Sequence, residues 1–413
     1  MVMNRSSPAC SNRTHFWQIV GVLLLAAGII FLRKPDRFYA PQLLAEDGVV
    51  FFSGAYEHGW HSLLIPYGGY LHLLLRLVAL LADSLDPLWV PAIYNYSAIF
   101  LNLAAIGLIF SPRVHLPAKP MLGLAVVLVP HTGEVYAHLT NMQWSLALIL
   151  VLLLLSDDAH GFGQWLLNVS VVIIGGLTGP FLLFFAPLFI ARAWWRRTRA
   201  SWILLGLAGA TALIQFVILF QNRGAFARSD PSQVRWLLSI MGARLYGSLI
   251  MGFHWLLISP HIGWLVLGGL CTLLWLYFGL RAGEEAYERR VLVIAGCCVI
   301  FPVMARFFHD TVSLTAMDNG DRYFYVPRVV LIWLIVVVAA RARDWQRWTI
   351  AICLTIGLVM NLSSIQREPL KQYPWKLHVA EMRAGLPLHV PTNPEGWEII
   401  TGPRHSVPPA QAR

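Results

Sequence analysis

Two adjacent carboxylates, Glu46 and Asp47, follow the first long apolar segment of a chain that otherwise carries few charges. A carboxylate at the centre of a bilayer costs roughly 2.5–3.5 kcal/mol on insertion scales, so acids near a membrane indicate a pathway or a chemistry that uses them. A carboxylate placed in this way can take the proton from an attacking hydroxyl. Neighbouring acids also raise one another's pKa, which favours a usable base. We therefore expect Glu46 or Asp47 to act as a catalytic base.

Basic residues that could stabilise a departing anion adjoin the first apolar run and one of the last. Arg322 lies at the mouth of a late apolar run, where its planar guanidinium could make a two-point contact with a phosphate. Lys34 and Arg37, together with Arg33, follow the first apolar run, on the face where basic clusters are unusual. We predict that Arg322, Lys34 and Arg37 bind the phosphate of a donor. A structural ion pair of Arg322 with a nearby aspartate, Asp321 or Asp310, is the alternative.

Polar segments between bare apolar runs predict a surface for a sugar or an acceptor, because they combine acids, imidazoles, amides and aromatic rings. The alternative for their Trp and Tyr residues is anchoring at a membrane interface. The candidate residues are Tyr67, Tyr70, Glu134, His138, Asn141, Gln143, Trp144, His309, Asp321, Tyr323 and Tyr325.

The composition predicts which elements position these residues. Of the 413 residues, 57% are hydrophobic and 13% are charged, and the mean hydropathy is +0.61, which excludes an ordinary soluble globular protein. The long apolar runs alternate too little for the strands of a β-barrel. The sequence therefore predicts an all-α polytopic membrane protein. The net charge of +10 is explained by basic loops and by membrane lipids as partners, so no nucleic-acid partner is expected.

At roughly 20 residues per crossing, the apolar runs predict about eleven transmembrane helices. The first, over residues 16–32, lacks a small-residue cleavage site and is expected to be retained. The other runs lie at about 88–110, 120–130, 143–156, 164–178, 180–194, 201–221, 262–280, 290–306, 324–341 and 347–364. Short basic loops fall on one face, which places the amino end in the cytoplasm.

This topology leaves a long first loop, residues 33–87, on the extracytoplasmic side of a helix bundle that comprises residues 1–364. The loop is expected to carry interfacial helices, one capped by Asp47 and ended by Gly59, and one over residues 70–85. If the second of these crossed the membrane, every later loop would change sides. Residues 365–413 form a small extracytoplasmic tail, in which the run 390–397 predicts an extended strap or a surface coil.

These features together favour transfer of a sugar from a polyprenyl-phosphate donor to an acceptor hydroxyl at the outer face of the cytoplasmic membrane. The leaving phosphate is already stable as an anion, so the reaction needs a base and cations but little general-acid help. A hydrolase pair fits less well, because its water-handling partner would have to lie elsewhere. No cofactor is expected. A divalent metal could bind, but the contiguous acids do not form a DxD motif, and we do not expect it to be essential.

The chain resembles the GT-C class of integral membrane glycosyltransferases. The resemblance covers the general plan of nearly the whole chain and is specific at the segments Ala45-Glu46-Asp47-Gly48, Asn141-Met142-Gln143-Trp144 and Gly320-Asp321-Arg322-Tyr323-Phe324-Tyr325. It implies a polyprenyl-phosphate sugar as donor, and it implies for Glu46 and Asp47 the role of catalytic base or metal contact. The large soluble carboxyl domain of the oligosaccharyltransferase branch is absent.

Two other functions share the lipid-linked substrate. A transporter or flippase should show charged or broken segments at mid-membrane in paired halves, whereas the polar residues here cluster near one face. A polysaccharide polymerase or ligase usually centres on a large later loop, whereas the first loop is the long one here. A membrane anchor or assembly factor would leave Glu46, Asp47 and Arg322 unexplained. The sequence leaves open whether the acceptor is a glycan, a lipid or a protein.

Overall fold

The structure, a computed structural model, describes residues 8–222, 233–252, 262–308, 310–315 and 320–405. These residues are mostly helical. The main helices of the bundle are α1 (Pro8–Arg33), α5 (Val90–Ile109), α6 (Lys119–Leu128), α7 (Met142–Leu155), α8 (Phe162–Gly176), α9 (Phe181–Arg196), α10 (Arg199–Gln221), α13 (Ile262–Leu280), α14 (Ala286–Arg306), α15 (Arg322–Ala340) and α16 (Asp344–Asn361). The other α-helices are α2 (Asp36–Tyr39), α3 (Ser53–His58), α4 (Leu73–Asp83), α11 (Gln233–Ile240), α12 (Ser248–Met251) and α17 (Val379–Arg383).

Each of the eleven apolar runs of the sequence coincides with one of these main helices. Five helical segments in the described part of the chain are long and apolar enough to cross a membrane by length and composition: His15–Arg33, Pro87–Ile109, Arg199–Gln221, Ile262–Leu280 and Arg322–Ala340. The chain is therefore a helical protein suited to a membrane. The count of eleven crossings and the GT-C fold stay predictions.

The central helix of the bundle is α7, whose residues are all buried. A helix that is apolar around its whole circumference needs neighbours on every side, and α7 contacts α5, α8, α9, α14 and α15. The polar segment before α7 therefore emerges at the centre of one end of the bundle.

The basic loops gather at the opposite end of the bundle. Arg113 donates to the carbonyl of Asp157, and Arg196 lies 3.2 Å from the carboxylate of the same residue. Arg192 is buried, donates to carbonyls in and just after the last turn of α7, which have no partner within the helix, and lies 3.0 Å from Asp158. The loops after α5, α7 and α9 thus share one end, as the sequence predicted. Which side of a membrane this end faces stays a prediction.

The first loop differs in detail from its prediction. Asp47 does not cap a helix. It is the first residue of a π-helical turn, Asp47–Phe52, which continues into α3 and ends at Gly59, where φ is +51°. The helix predicted over residues 70–85 is shorter, because α4 has 11 residues. At 1.5 Å per residue α4 extends about 16 Å, too short to cross a hydrocarbon core of about 30 Å by itself.

The tail folds back onto the first loop. Its strands β1 (His389–Thr392) and β2 (Trp397–Ile400) form an antiparallel hairpin, so the segment 390–397 is a β-hairpin and not a coil. The Asn393 carbonyl accepts a hydrogen bond from the Ala45 amide, and Tyr56 Oη donates to the Leu386 carbonyl at 2.7 Å. The first loop and the tail therefore lie at the same end of the bundle.

Candidate active site

A cavity of about 760 Å³ opens where the first loop, the segment before α7, the start of α15 and the tail meet. Eight of its lining residues carry a formal charge, four of them cationic and four anionic. Seven residues predicted from the sequence line this cavity: Lys34, Arg37, Glu46, Glu134, His138, Asn141 and Arg322. The predicted base and the predicted phosphate ligands thus share one polar chamber.

Glu46 lies half-buried in the wall of this cavity. Tyr67 Oη donates to Glu46 Oε1 at 3.2 Å, and the Tyr67 ring packs against the rings of Phe51 and His72. Burial and the Glu46 carboxylate raise the pKa of Tyr67 to about 12, so this hydroxyl keeps its proton near neutral pH. The carboxylate is thereby oriented by a packed donor and can accept a proton from a hydroxyl in the cavity.

Asp47 is fully buried and does not line the cavity. Its carboxylate accepts hydrogen bonds from the Thr140 amide at 2.8 Å, from Thr140 Oγ1 at 2.7 Å and from the Leu139 amide at 3.3 Å. Burial raises the pKa of Asp47 to about 7, although the hydrogen bonds from Thr140 act in the opposite direction. Asp47 therefore fastens the first loop to the segment before α7. The two adjacent acids have different surroundings, one facing the cavity and one inside the protein.

Lys34 and Arg37 form the cationic wall of the first loop. Burial and the neighbouring Arg37 lower the pKa of Lys34 to about 7, and Asp36 offsets this in part. Arg37 donates to the Gln42 carbonyl at 3.0 Å and lies 3.9 Å from Asp36. A half-buried ammonium with a lowered pKa is a group whose charged form a bound anion would stabilise.

Arg367 is a cavity residue that the sequence reasoning missed. It belongs to the tail, and its amide donates to the Arg33 carbonyl at 3.1 Å. Arg367 and Lys34 both pack against Gly133. A Cβ added at this glycine would lie 3.4 Å from Lys34 Cε and 3.5 Å from Arg367 Cγ. The position of Arg367 in the sequence could have predicted this, because Arg367 follows the last apolar run just as Lys34 follows the first.

Arg322 pairs with Glu134 across the cavity, with Nη1 and Oε2 3.1 Å apart. Burial raises the pKa of Glu134 despite the neighbouring guanidinium. The guanidinium also stacks over the ring of Tyr323, with Cζ 5.0 Å from the centroid. The partner of Arg322 is thus Glu134 rather than Asp321 or Asp310, and the pair joins the segment before α7 to the start of α15.

Asp321 lies in the protein interior and holds Thr132, a residue of the cavity lining, in place. Its carboxylate is 2.8 Å from Arg328 and 3.8 Å from Arg244, all three side chains are fully buried, and it accepts the Thr132 amide at 2.7 Å. Burial would raise the pKa of Asp321, but Arg328 keeps it well below its usual range. Arg33 is also buried and donates to carbonyls at and beyond the end of α6 instead of to an anion in the cavity.

The remaining predicted residues pack beside the cavity. The Trp144 ring lies 5.6 Å from the ring of Tyr323, and Tyr325 is buried with its hydroxyl donating to the Val126 carbonyl. Burial, with Tyr323 nearby, raises the pKa of Tyr70 to about 12, although Gln143 and Arg322 act in the opposite direction. Tyr323 joins Trp144 to Arg322, whose guanidinium lies over the Tyr323 ring. His309 lies outside the described residues.

The described residues contain no group of three or more His, Cys, Asp or Glu side chains that could hold a metal ion. The expectation that no metal is essential stays a prediction.

No family model, no curated protein and no solved structure matches the chain. The function is therefore inferred from the residues of the site and their geometry.

Proposed function

We propose that this chain is a membrane glycosyltransferase that moves a sugar from a polyprenyl-phosphate donor to an acceptor hydroxyl. The reaction takes place at the outer face of the cytoplasmic membrane and serves the assembly or modification of a cell-surface glycan. The GT-C class is the architecture that we propose for it. One observation carries the proposal: Glu46 lines the same cavity as Lys34, Arg37, Arg322 and Arg367.

The chemistry needs two functions from the protein, and the cavity offers both. Glu46 takes the proton of the acceptor hydroxyl as its oxygen attacks the anomeric carbon of the donor sugar. The bond between that carbon and the phosphate oxygen breaks, and its electron pair stays on the phosphate. The cations stabilise the polyprenyl phosphate that leaves, so no proton has to be delivered to it.

The cations stand where a lipid phosphate would lie. Lys34 directly follows α1, and Arg322 is the first residue of α15. Both helices are among those long and apolar enough to cross a membrane. A phosphate in the cavity would therefore lie at the ends of membrane helices, with its polyprenyl chain alongside them.

The proposal is tested by reconstituting the purified chain in liposomes with a panel of polyprenyl-phosphate-linked hexoses and pentoses and a membrane extract as the source of acceptor. Mass spectrometry then measures the polyprenyl phosphate that is released. We expect release with one of the donors, and a loss of about 100-fold or more in Glu46→Gln. The matched control is Glu398→Gln, because Glu398 is an exposed acid outside the cavity that pairs with His389.

Three outcomes would contradict the proposal. Full activity in Glu46→Gln would remove this carboxylate from the role of base. Passage of intact donor across the liposome membrane without release of polyprenyl phosphate would make the protein a flippase. A deletion strain whose surface glycans lack no sugar would refute a transfer function.

A further inference from the structure

Trp397 is an aromatic residue in a polar setting. It begins β2, lines the cavity together with Glu46, and keeps 40% of its surface exposed. Other exposed tryptophans, such as Trp17, Trp194 and Trp348, lie on long apolar helices, where anchoring at a membrane interface explains them. That explanation does not apply to Trp397, because it stands on the hairpin of the tail.

The hairpin holds Trp397 in a fixed relation to the candidate base. Trp397 pairs with Thr392 across the two strands. Thr392 Oγ1 donates to the Leu43 carbonyl at 3.0 Å, and the next residue, Asn393, accepts the Ala45 amide. The hairpin is thus bonded to the chain just before Glu46, and the same backbone contacts position the indole and the carboxylate.

The cavity that Trp397 lines is rich in hydrogen-bonding groups. Gln366 and Glu368, two exposed residues of the tail, line the cavity, and Asn141 lines it from the segment before α7. A sugar ring has an apolar C–H face and a rim of hydroxyls. An aromatic face next to amides and carboxylates is complementary to both parts of such a ring.

Trp397 reaches the cavity from a different element than Lys34 and Arg322 do. Lys34 and Arg322 are at the ends of helices long and apolar enough to cross a membrane, whereas Trp397 belongs to a hairpin of the tail. A lipid-linked donor would approach along those helices, which leaves the hairpin for contact with the acceptor.

We propose that the indole of Trp397 is a platform on which a sugar ring of the acceptor stacks, so that the acceptor is a carbohydrate rather than a protein or a simple lipid alcohol. The inference rests on the proposed function and names the substrate class of the same site. It makes Trp397 a specificity-determining residue.

A binding experiment without donor tests the platform directly. The purified full chain in lipid nanodiscs is mixed with methyl mannopyranoside, methyl galactopyranoside and methyl arabinofuranoside, and saturation-transfer NMR measures the signal on the ring protons. We expect a signal with at least one glycoside, a drop of about threefold or more in Trp397→Ala and in Trp397→Leu, and retention of at least half in Trp397→Phe. Leu keeps apolar volume without an aromatic face, so it separates stacking from packing. Ile400→Ala is the control, because Ile400 is also exposed on β2 but does not line the cavity.

Kinetics supply the second measurement, with the best of these glycosides as acceptor. Trp397→Leu should raise the acceptor KM about 3- to 10-fold while kcat and the donor KM stay within twofold. An unchanged NMR signal in Trp397→Leu, no signal with any glycoside in the wild-type chain, or a rise in donor KM instead of acceptor KM would each overturn the platform. Failure of the proposed function is a different result: the wild-type chain would release no polyprenyl phosphate from any donor, whatever the NMR experiment shows.

Discussion

Replacing Asp321 with Asn should destabilise the fold while leaving the chemistry of sugar transfer intact. Asp321 is fully buried, 2.8 Å from Arg328 and 3.8 Å from Arg244. Removing one partner of a buried ion pair takes a compensating charge from the other, at a cost of about 3–5 kcal/mol. Asn still offers an oxygen to the Thr132 amide, which Asp321 accepts at 2.7 Å, so the shape of the cavity should persist in the molecules that remain folded.

The expected change in melting temperature follows from the length of the chain. An unfolding entropy of about 2.1 cal/mol/K per residue over 413 residues gives about 0.9 kcal/mol/K. A loss of about 3–5 kcal/mol then lowers the apparent Tm by about 3–6 °C, which thermal unfolding in detergent micelles can resolve. Combining Asp321→Asn with Arg328→Met should cost less than the sum of the two single changes, because each single change removes the same Asp321–Arg328 interaction.

The pH dependence gives an independent check. Because Arg328 holds the pKa of Asp321 well below its usual range, this carboxylate contributes stability above its unfolded pKa of about 4 and loses that contribution as the pH falls further. The gap in Tm between the wild-type chain and Asp321→Asn should therefore narrow as the pH drops below about 4. A variant that keeps the wild-type Tm and yet loses sugar transfer would refute the reasoning, because Asp321 would then act on substrate.

Three further predictions concern the cavity. Asp47→Asn should keep transfer per folded molecule within about tenfold of wild type, because Asp47 bonds to Thr140 rather than facing the cavity; a loss as deep as that of Glu46→Gln would make Asp47 the base. In the wild-type chain the donor KM should rise between pH 6 and 8, because the Lys34 ammonium, with a pKa of about 7, loses its charge over this range. Lys34→Arg should flatten this pH profile, since arginine stays charged. A pH profile that the substitution leaves unchanged would mean that Lys34 does not bind the phosphate. Arg322→Lys should raise the donor KM about tenfold in steady-state kinetics, since a lysine cannot make a planar two-point contact, and an unchanged donor KM would contradict that role.

Much of the candidate site could be predicted from residue types and from their position relative to the apolar runs. Lys34 and Arg322 each adjoin such a run, and both line the cavity. Residue type alone predicts a substrate contact for Trp144 and Tyr325, but neither side chain lines the cavity. Residue type shows what a side chain can do, whereas burial decides whether it can meet a ligand.

The helices were determined by the sequence itself. A run of apolar residues that must satisfy its own backbone hydrogen bonds in lipid becomes a helix whatever its neighbours are, so the eleven runs and the main helices coincide. The gathering of basic loops at one end followed from the same order of runs along the chain. Both properties depend on local sequence and could be read without the tertiary contacts.

Only the tertiary structure decided which side chains face one another across the cavity. Glu46 and Asp47 are adjacent in sequence, but successive residues at the start of a helical turn point in different directions around its axis, so one faces the cavity and the other the interior. Arg367 and Trp397 come from a tail more than three hundred residues away, and its hairpin bonds at Ala45 bring it to the acids. Contacts between segments so far apart in the chain depend on the packing of the whole bundle, which no local pattern encodes.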